Sequence, residues 1–340
     1  MSALPTRVHV LGCGALGSLV AARLQAAGVP TAVVLRRGSP RWRCVRGDGT
    51  VAIAVAEADG GTTRVAVAAV DGVDAAAPSP RVVVCTKAYD AAAAVAAAVG
   101  GRRDARLLLL CNGALSLGGL DARAAAGATT HGCYERAPFD VLHAGPGTVW
   151  VPRGGFAAAL GAAASLNVVA LGPDDMAARL WRKLAANCVL NPLTALHRCD
   201  NGAVLRDPGR RDVAARVLAE VAAVARADGW PGATAGDLAA AVDACAAENA
   251  ANFSSMYQDC KRGRRTEVDH LGAWVAARGA ALGVDAPENA RLAADVRALE
   301  PWGTEEGRVA CFKLASAWQR ALLVRRARAA SLAPASSGAR

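Results

Sequence analysis

Near its N-terminus the chain sets a glycine pattern directly between an apolar run and a helical one. That arrangement limits the possible fold more than any other feature of the 340 residues. Arg7 to Leu11 reads as a buried strand and runs straight into Gly12-Cys13-Gly14-Ala15-Leu16-Gly17, a G-x-G-x-x-G. A helical stretch follows from Ala15 to Ala27, with Gly28 suited to end it, and Thr31 to Leu35 reads as a second strand. Together they make a βαβ unit of about 30 residues. The first glycine permits the tight turn, the second lets the main chain approach a pyrophosphate, and the third lets helix and strand pack closely. The helix N-terminus then presents open N–H groups and its positive dipole end to the phosphates. Gly12, Cys13, Gly14, Ala15, Leu16 and Gly17 are therefore expected to bind a dinucleotide; a plain tight βα turn is the alternative.

The end of the second strand selects between cofactors. An NAD site usually carries Asp or Glu there, to hold the ribose 2′-hydroxyl. This chain has Arg36 and Arg37, and a guanidinium suits a 2′-phosphate. NADPH/NADP+ is the expected cofactor, with Arg36 on the phosphate. The alternative is a pair of solvated loop arginines, since Arg41, Arg43 and Arg46 follow closely. Two later runs, Arg81 to Thr86 and Leu107 to Cys111, read as strands of the same sheet. Ligands of open α/β sheets bind beyond the carboxyl ends of the strands, where Lys87 and Asn112 sit. Each could equally be an ordinary loop residue. From Thr129 to Val151 the chain, broken by Gly145, Pro146 and Gly147, reads as a hairpin that extends the sheet.

After Leu171-Gly172-Pro173 the strand signals stop and helical runs dominate. The expected division is 1–172 for a cofactor domain and 173–330 for a helical substrate domain, with 331–340 as a disordered tail. Leu180 to Leu196 (LWRKLAANCVLNPLTAL) is apolar almost all round, so it should be buried. Its polar residues Lys183, Asn187, Asn191 and Thr194 fall at i, i+4, i+8 and i+11, one stripe on one face. Buried amines and amides are costly without partners. The stripe is either a polar groove that meets a ligand or a satisfied network between helices. Pro192 is expected to kink the helix there, and Asn201-Gly202 to lie at a helix end. A second polar set surrounds Ser254 and Ser255. Thr266 reads as an N-cap with Asp269 three residues on, which puts Glu267 in a first helical turn where the dipole favours its ionised form. Near Lys183 it would hold that lysine charged; a plain helix-start glutamate is the alternative.

The rest of the composition excludes other classes. Hydrophobic residues make up 53% and charged residues 20%, so the chain can pack a core. No apolar run reaches the roughly 18 residues of a membrane span, and only six residues precede the first strand. A soluble cytoplasmic protein is expected. The ten cysteines form no C-x-x-C pair and the five histidines no H-E-x-x-H, so neither a disulfide framework nor a metal site is expected. Of the net charge of +10, seven units come from Lys and Arg between Arg308 and Arg340, where there is no acid. Without a recognisable nucleic-acid motif, that tail is no argument for a nucleic-acid partner.

Several stretches together resemble the ketopantoate reductase (2-dehydropantoate 2-reductase) family. They are VLGCGALGSL, CTKAYD at Cys85 to Asp90, CNG at Cys111 to Gly113, and LWRKLAANCVLNPLTAL followed by Asn201-Gly202. AEN at Ala247 to Asn249, SSMYQD, RRTEVD and PEN at Pro287 to Asn289 complete the set. The likeness runs from about residue 7 to about residue 295 and departs from the family in the loop Ala114 to Gly119. It implies an α/β fold: an N-terminal Rossmann-type parallel-sheet domain and an all-helical C-terminal domain of the 6-phosphogluconate dehydrogenase type, with the active site in the cleft between them. It implies NADPH-dependent reduction of 2-dehydropantoate to (R)-pantoate, in pantothenate and coenzyme A biosynthesis, by a monomer or homodimer.

The resemblance also implies roles. Lys183 would be the general acid, and Glu267 would orient it. Asn187, Asn191, Asn201 and Ser255 would bind the keto acid. Lys87 and Asn112 would line the nicotinamide end. A related NADP-dependent 2-hydroxy-acid dehydrogenase with another substrate, and a non-catalytic NADPH-binding protein, are the competing readings.

Overall fold

Alternate residues of a strand face opposite sides of its sheet, and in the N-terminal half both sides are apolar. In this computed structural model, which describes residues 7–74 and 78–300, both sides are covered. Strand β1 (Val8–Leu11) leads into helix α1 (Ala15–Ala26) and strand β2 (Thr31–Val34). There follow β3 (Thr50–Glu57), β4 (Thr62–Val70), β5 (Arg81–Val84), α2 (Ala88–Val99), β6 (Arg106–Leu109) and β7 (Ala124–Ala126). The sheet runs β7-β6-β5-β1-β2-β4, all parallel. This is the doubly wound order, with its switch point between β1 and β5. Val8, Val10, Val83 and Leu108 pack with Leu19, Val20 and Leu24 of α1. Leu11, Val82, Val84, Leu107 and Leu109 face the other way, onto Ala91, Val95 and Val99 of α2. Burying a leucine such as Leu19 contributes about 1.5–3 kcal/mol.

Beyond β4 the sheet continues through antiparallel β3 to β10 (Asp140–Gly145) and β9 (Gly132–Ala137). These last two form the expected hairpin. It closes onto α1, which touches β4, β9 and β10. The rest of the Thr129–Val151 segment does not join this sheet. Strand β11 (Val149–Pro152) lies between β8 (Ala128–Thr129) and β12 (Val168–Leu171) in a separate three-stranded sheet, with α3 (Gly155–Gly161) between β11 and β12 in sequence.

The second unit is helical throughout its described residues. Helix α4 (Pro173–His197) runs on through Pro192, and the two compact units divide inside it, between Trp181 and Arg182. Then come α5 (Asn201–Arg206), α6 (Pro208–Ala227), α7 (Ala235–Glu248), α8 (Ser255–Lys261), α9 (Gly272–Ala281) and α10 (Pro287–Arg297). Helix α6 is the hub and touches α5, α7, α9 and α10. Glu220 on α6 accepts from the main-chain N–H groups of Glu288 and Asn289 at 2.8 and 2.9 Å, which caps α10.

Two local expectations are corrected. Asn201-Gly202 opens a helix rather than ending one, because Asp200 acts as N-cap and accepts from the Ala203 N–H at 2.6 Å. Thr266 does not start a regular helix. Val268–His270 is a single 3-10 turn with Glu267 at its cap position, and the backbone of Leu271 (φ −119°, ψ −111°) separates it from α9. Among the described residues there is no disulfide, no cluster of His, Cys, Asp or Glu placed to hold a metal, and no helix long and apolar enough to cross a membrane. The tail from Arg308 onward lies outside the described residues.

Candidate active site

In the first unit, register assembles the candidate residues. Val34, Leu11, Val84 and Leu109 pair in one row across β2, β1, β5 and β6. The segments leaving that row therefore emerge side by side along one sheet edge. They carry Arg36, the glycine loop, Lys87 and Asn112. Three strand spacings of about 4.8 Å separate the outer two strands, a span suited to an extended dinucleotide.

The three glycines of the loop meet different surroundings. Gly12 has φ +91°, and a Cβ there would lie 2.5 Å from the Thr86 nitrogen. A Cβ on Gly17 would lie 2.2 Å from the Gly12 oxygen. Both are glycine for reasons internal to the protein. Gly14 is not: its φ of −75° suits any residue, and a Cβ there would meet nothing of the chain within 4 Å. The space it leaves open faces outward, at the first turn of α1, whose cap supplies no side-chain hydrogen bond. That is the cradle a pyrophosphate requires. Ala15 and Leu16 complete this turn. Cys13 points inward, with Sγ 3.6 Å from the Val10 oxygen, and burial pushes its thiol up to about 12. Only its main chain can meet a ligand.

The arginines after β2 are not equivalent. Arg37 is paired with Asp71 and lies 5.2 Å from the Trp42 ring centroid. Arg41 pairs with Glu135 at 2.7 Å and lies over Phe139. Arg36 is exposed, with no side-chain partner among the described residues. Lys87 is half-buried at the N-cap of α2, and Asn112 is half-buried just past β6. Gly113 turns left-handed there (φ +70°), and a 3-10 turn at Ala114–Leu117 follows. Thr86 was passed over in the sequence. Its hydroxyl is buried without a partner among the described residues, against the Gly12 turn.

In the second unit, α4 buries most of its surface from Leu184 to Leu196, yet carries the polar stripe. Lys183 and Asn187 are half-buried, and Asn191 and Thr194 are buried. Lys183 acts electrostatically on Cys245 of α7 and opposes the rise that burial imposes on that thiol. Asn187 lines a small cavity with Pro192, Met256, Val268, Leu271 and Asn289. One cavity thus joins α4, α8, α10 and the turn that carries Glu267, which is itself buried.

The two serines differ. Ser254 is buried, caps α8 by accepting from the Tyr257 N–H at 3.1 Å, and lies 2.6 Å from the Thr194 hydroxyl. Ser255 is exposed at the first position of that helix. Asn201 is buried, and its amide donates to the Asn249 carbonyl at 3.1 Å. Thr194 and Asn201 are therefore bonded to the two ends of one segment, Asn249 to Ser254. The second unit gathers Lys183, Asn187, Asn191, Asn201, Ser255 and Glu267 onto neighbouring elements.

Two family models match the chain. One, described as Ketopantoate reductase PanE/ApbA, covers residues 8–155; the other, Ketopantoate reductase PanE/ApbA C terminal, covers residues 175–300. The chain is 31% identical over 307 residues to the 2-dehydropantoate 2-reductase of Vibrio cholerae, covering 86% of this chain and 97% of that protein. It is 36% identical over 290 residues to the 2-dehydropantoate 2-reductase of Halobacterium salinarum, covering 80% and 91%. The crystal structure of a PanE/ApbA family ketopantoate reductase from Ralstonia eutropha superposes with a TM-score of 0.73 at 30% identity, covering 86% of this chain and 98% of that one.

Proposed function

The chain belongs to the ketopantoate reductase family, and from that membership we propose that it reduces 2-dehydropantoate to (R)-pantoate with NADPH. It is an oxidoreductase that uses a nicotinamide cofactor. The observation that carries the substrate reading is the polar stripe Lys183-Asn187-Asn191 on an otherwise buried helix, beside the elements that hold Ser255 and Glu267.

Reducing a ketone requires a hydride at carbon, a proton at oxygen, and a grip on the rest of the substrate. The bound cofactor supplies the hydride. The Lys183 ammonium donates the proton to the developing alkoxide, and Glu267 orients that ammonium. Asn187, Asn191, Asn201 and Ser255 hydrogen-bond the keto acid. In the first unit, the main chain of residues 12–17 cradles the pyrophosphate, where Gly14 leaves room for it. Lys87 and Asn112 line the nicotinamide end. Arg36 takes the 2′-phosphate, because Arg37 and Arg41 are already engaged by Asp71 and Glu135.

The test is the initial rate of NADPH oxidation with 2-dehydropantoate, beside pyruvate and 2-oxoisovalerate. Fast turnover of 2-dehydropantoate above the other two is expected. Tight NADPH binding with no preference for 2-dehydropantoate would overturn the substrate reading.

A further inference from the structure

The motif at Ala247 to Asn249 takes no part in the reaction as proposed, yet it ends against a residue that does. Asn249 lies at the C-cap of α7. Its Nδ2 donates to the Cys245 carbonyl at 3.2 Å, and its Oδ1 accepts from Asn252 Nδ2 at 3.2 Å. The Asn252 N–H closes the turn onto the Asn249 carbonyl at 3.0 Å.

This turn receives the start of α5. The Asn201 N–H donates to the Asn252 carbonyl at 3.0 Å, and the Gly202 N–H to the Ala250 carbonyl at 2.9 Å. Gly202 admits the approach, since a Cβ there would lie 3.0 Å from the Ala250 Cβ. The Asn201 side chain then donates to the Asn249 carbonyl. A carbonyl can only accept, so the atom facing it must be Nδ2, and the amide cannot flip. Asn201 Oδ1 is left on the other side, buried and without a partner among the described residues.

We propose that Asn249 is a positioning residue: the turn it builds locks the Asn201 amide with its oxygen facing away from that turn, so that the enzyme selects 2-keto acids bearing a hydroxyl donor. This rests on the reading that Asn201 binds the keto acid. A carboxylate or a second carbonyl cannot satisfy a lone acceptor, whereas a hydroxyl can. A site built around a substrate hydroxyl rejects the analogue that lacks it, because its own polar group is then stranded.

2-Dehydropantoate and 2-oxoisovalerate differ by one hydroxymethyl group, which makes them the probe. The measurement is the ratio of their kcat/KM values in the wild type, Asn249→Ala, Asn201→Ala and the double variant. Asn249→Ala is expected to lower that ratio roughly tenfold, the scale of one lost hydrogen bond, mainly through KM for 2-dehydropantoate. The double variant is expected to match Asn201→Ala alone, because Asn249 acts through Asn201. General damage to the fold would depress both substrates together and leave the ratio unmoved. An unchanged ratio in Asn249→Ala and in Asn252→Ala, which breaks the same side-chain bond from its other end, would overturn the proposal while leaving the reductase reading intact. Absence of wild-type turnover with either acid would overturn both.

Discussion

Thr194 on α4 and Ser254 at the head of α8 share a 2.6 Å hydrogen bond between their hydroxyls, both buried. The contact joins the lower end of the polar stripe to the helix that presents Ser255. Ser254 also caps that helix through the Tyr257 N–H.

The adjacent serines should therefore separate stability from binding. Ser254→Ala removes a cap and one partner of the Thr194 hydroxyl, which keeps its bond to the Leu190 carbonyl at 2.7 Å, at a cost of about 1 kcal/mol. Ser255→Ala, at an exposed position, should change stability by less than about 0.5 kcal/mol while raising KM for the keto acid. Urea unfolding and steady-state kinetics on both variants decide the matter. Equal stability losses would mean that Ser255 is structural too.

The glycine loop allows a similar separation. Gly12→Ala forces a side chain into φ +91° and against Thr86, and should destabilise the protein by about 1–3 kcal/mol or more. Gly14→Ala meets nothing of the chain, so its thermal midpoint without cofactor should match the wild type. NADPH affinity, read by fluorescence titration, should nevertheless fall. Unchanged affinity would mean that no phosphate approaches the Gly14 main chain.

How much of this was legible in the sequence depends on how local each signal is. The βαβ unit, the strand ends before Lys87 and Asn112, and the stripe on α4 all follow from periodicity within a few turns, and they stand in the structure. The split of Thr129–Val151 between two sheets was not legible, because pairing with β12 is decided by residues far along the chain. The distinction between Arg36 and Arg37 was equally hidden, since Asp71 engages Arg37 from 34 positions away. At Asn201 the short-range signal was present: Asp200 is a good N-cap, and it starts α5 three residues after α4 ends at His197. The orphaned Thr86 hydroxyl left no mark in the sequence at all.

Arg36 should set cofactor preference. Losing a charge-assisted contact to the 2′-phosphate costs about 1.5–3 kcal/mol, so Arg36→Asp should weaken NADPH roughly ten- to hundredfold. NADH has no phosphate to lose and should be affected far less. Arg37→Ala, which releases Asp71 and Trp42 instead, should discriminate less between the two. Equal losses of NADPH and NADH in Arg36→Asp would remove the 2′-phosphate from this residue.

Lys183 carries the heaviest demand in the proposed chemistry. Lys183→Ala should lower kcat by about 10² to 10⁴, the range for a general acid, with NADPH affinity unchanged. Loss of NADPH binding in this variant would move the lysine from the keto acid to the cofactor.

Mild acid should loosen the fold, and the histidines are the reason. Burial lowers His9, His131 and His270 below the usual imidazole value of 6.5, and burial together with Arg210 brings His197 to about 4. Burial is the main cause at His131, and the His143 ring, with its Nε2 3.0 Å from the His131 Nδ1, acts in the same direction against a bond to the Leu166 carbonyl that favours the charged form. The His131 Nε2 lies 3.1 Å from the Leu166 carbonyl, which can only accept, so that nitrogen carries the hydrogen. Nδ1 of the same ring then accepts from the Gly147 N–H at 3.1 Å, and a second proton there would oppose that donor. These groups fold in their neutral form, so the unfolded chain binds more protons once pH drops below about 6.5. Their contribution to stability is fully present above that value and declines as pH falls toward 4. The urea midpoint should therefore be lower at pH 5 than at pH 7.5, and His197→Gln should flatten the difference. A midpoint that holds steady or rises at pH 5 would show that these imidazoles take up protons without cost to the fold.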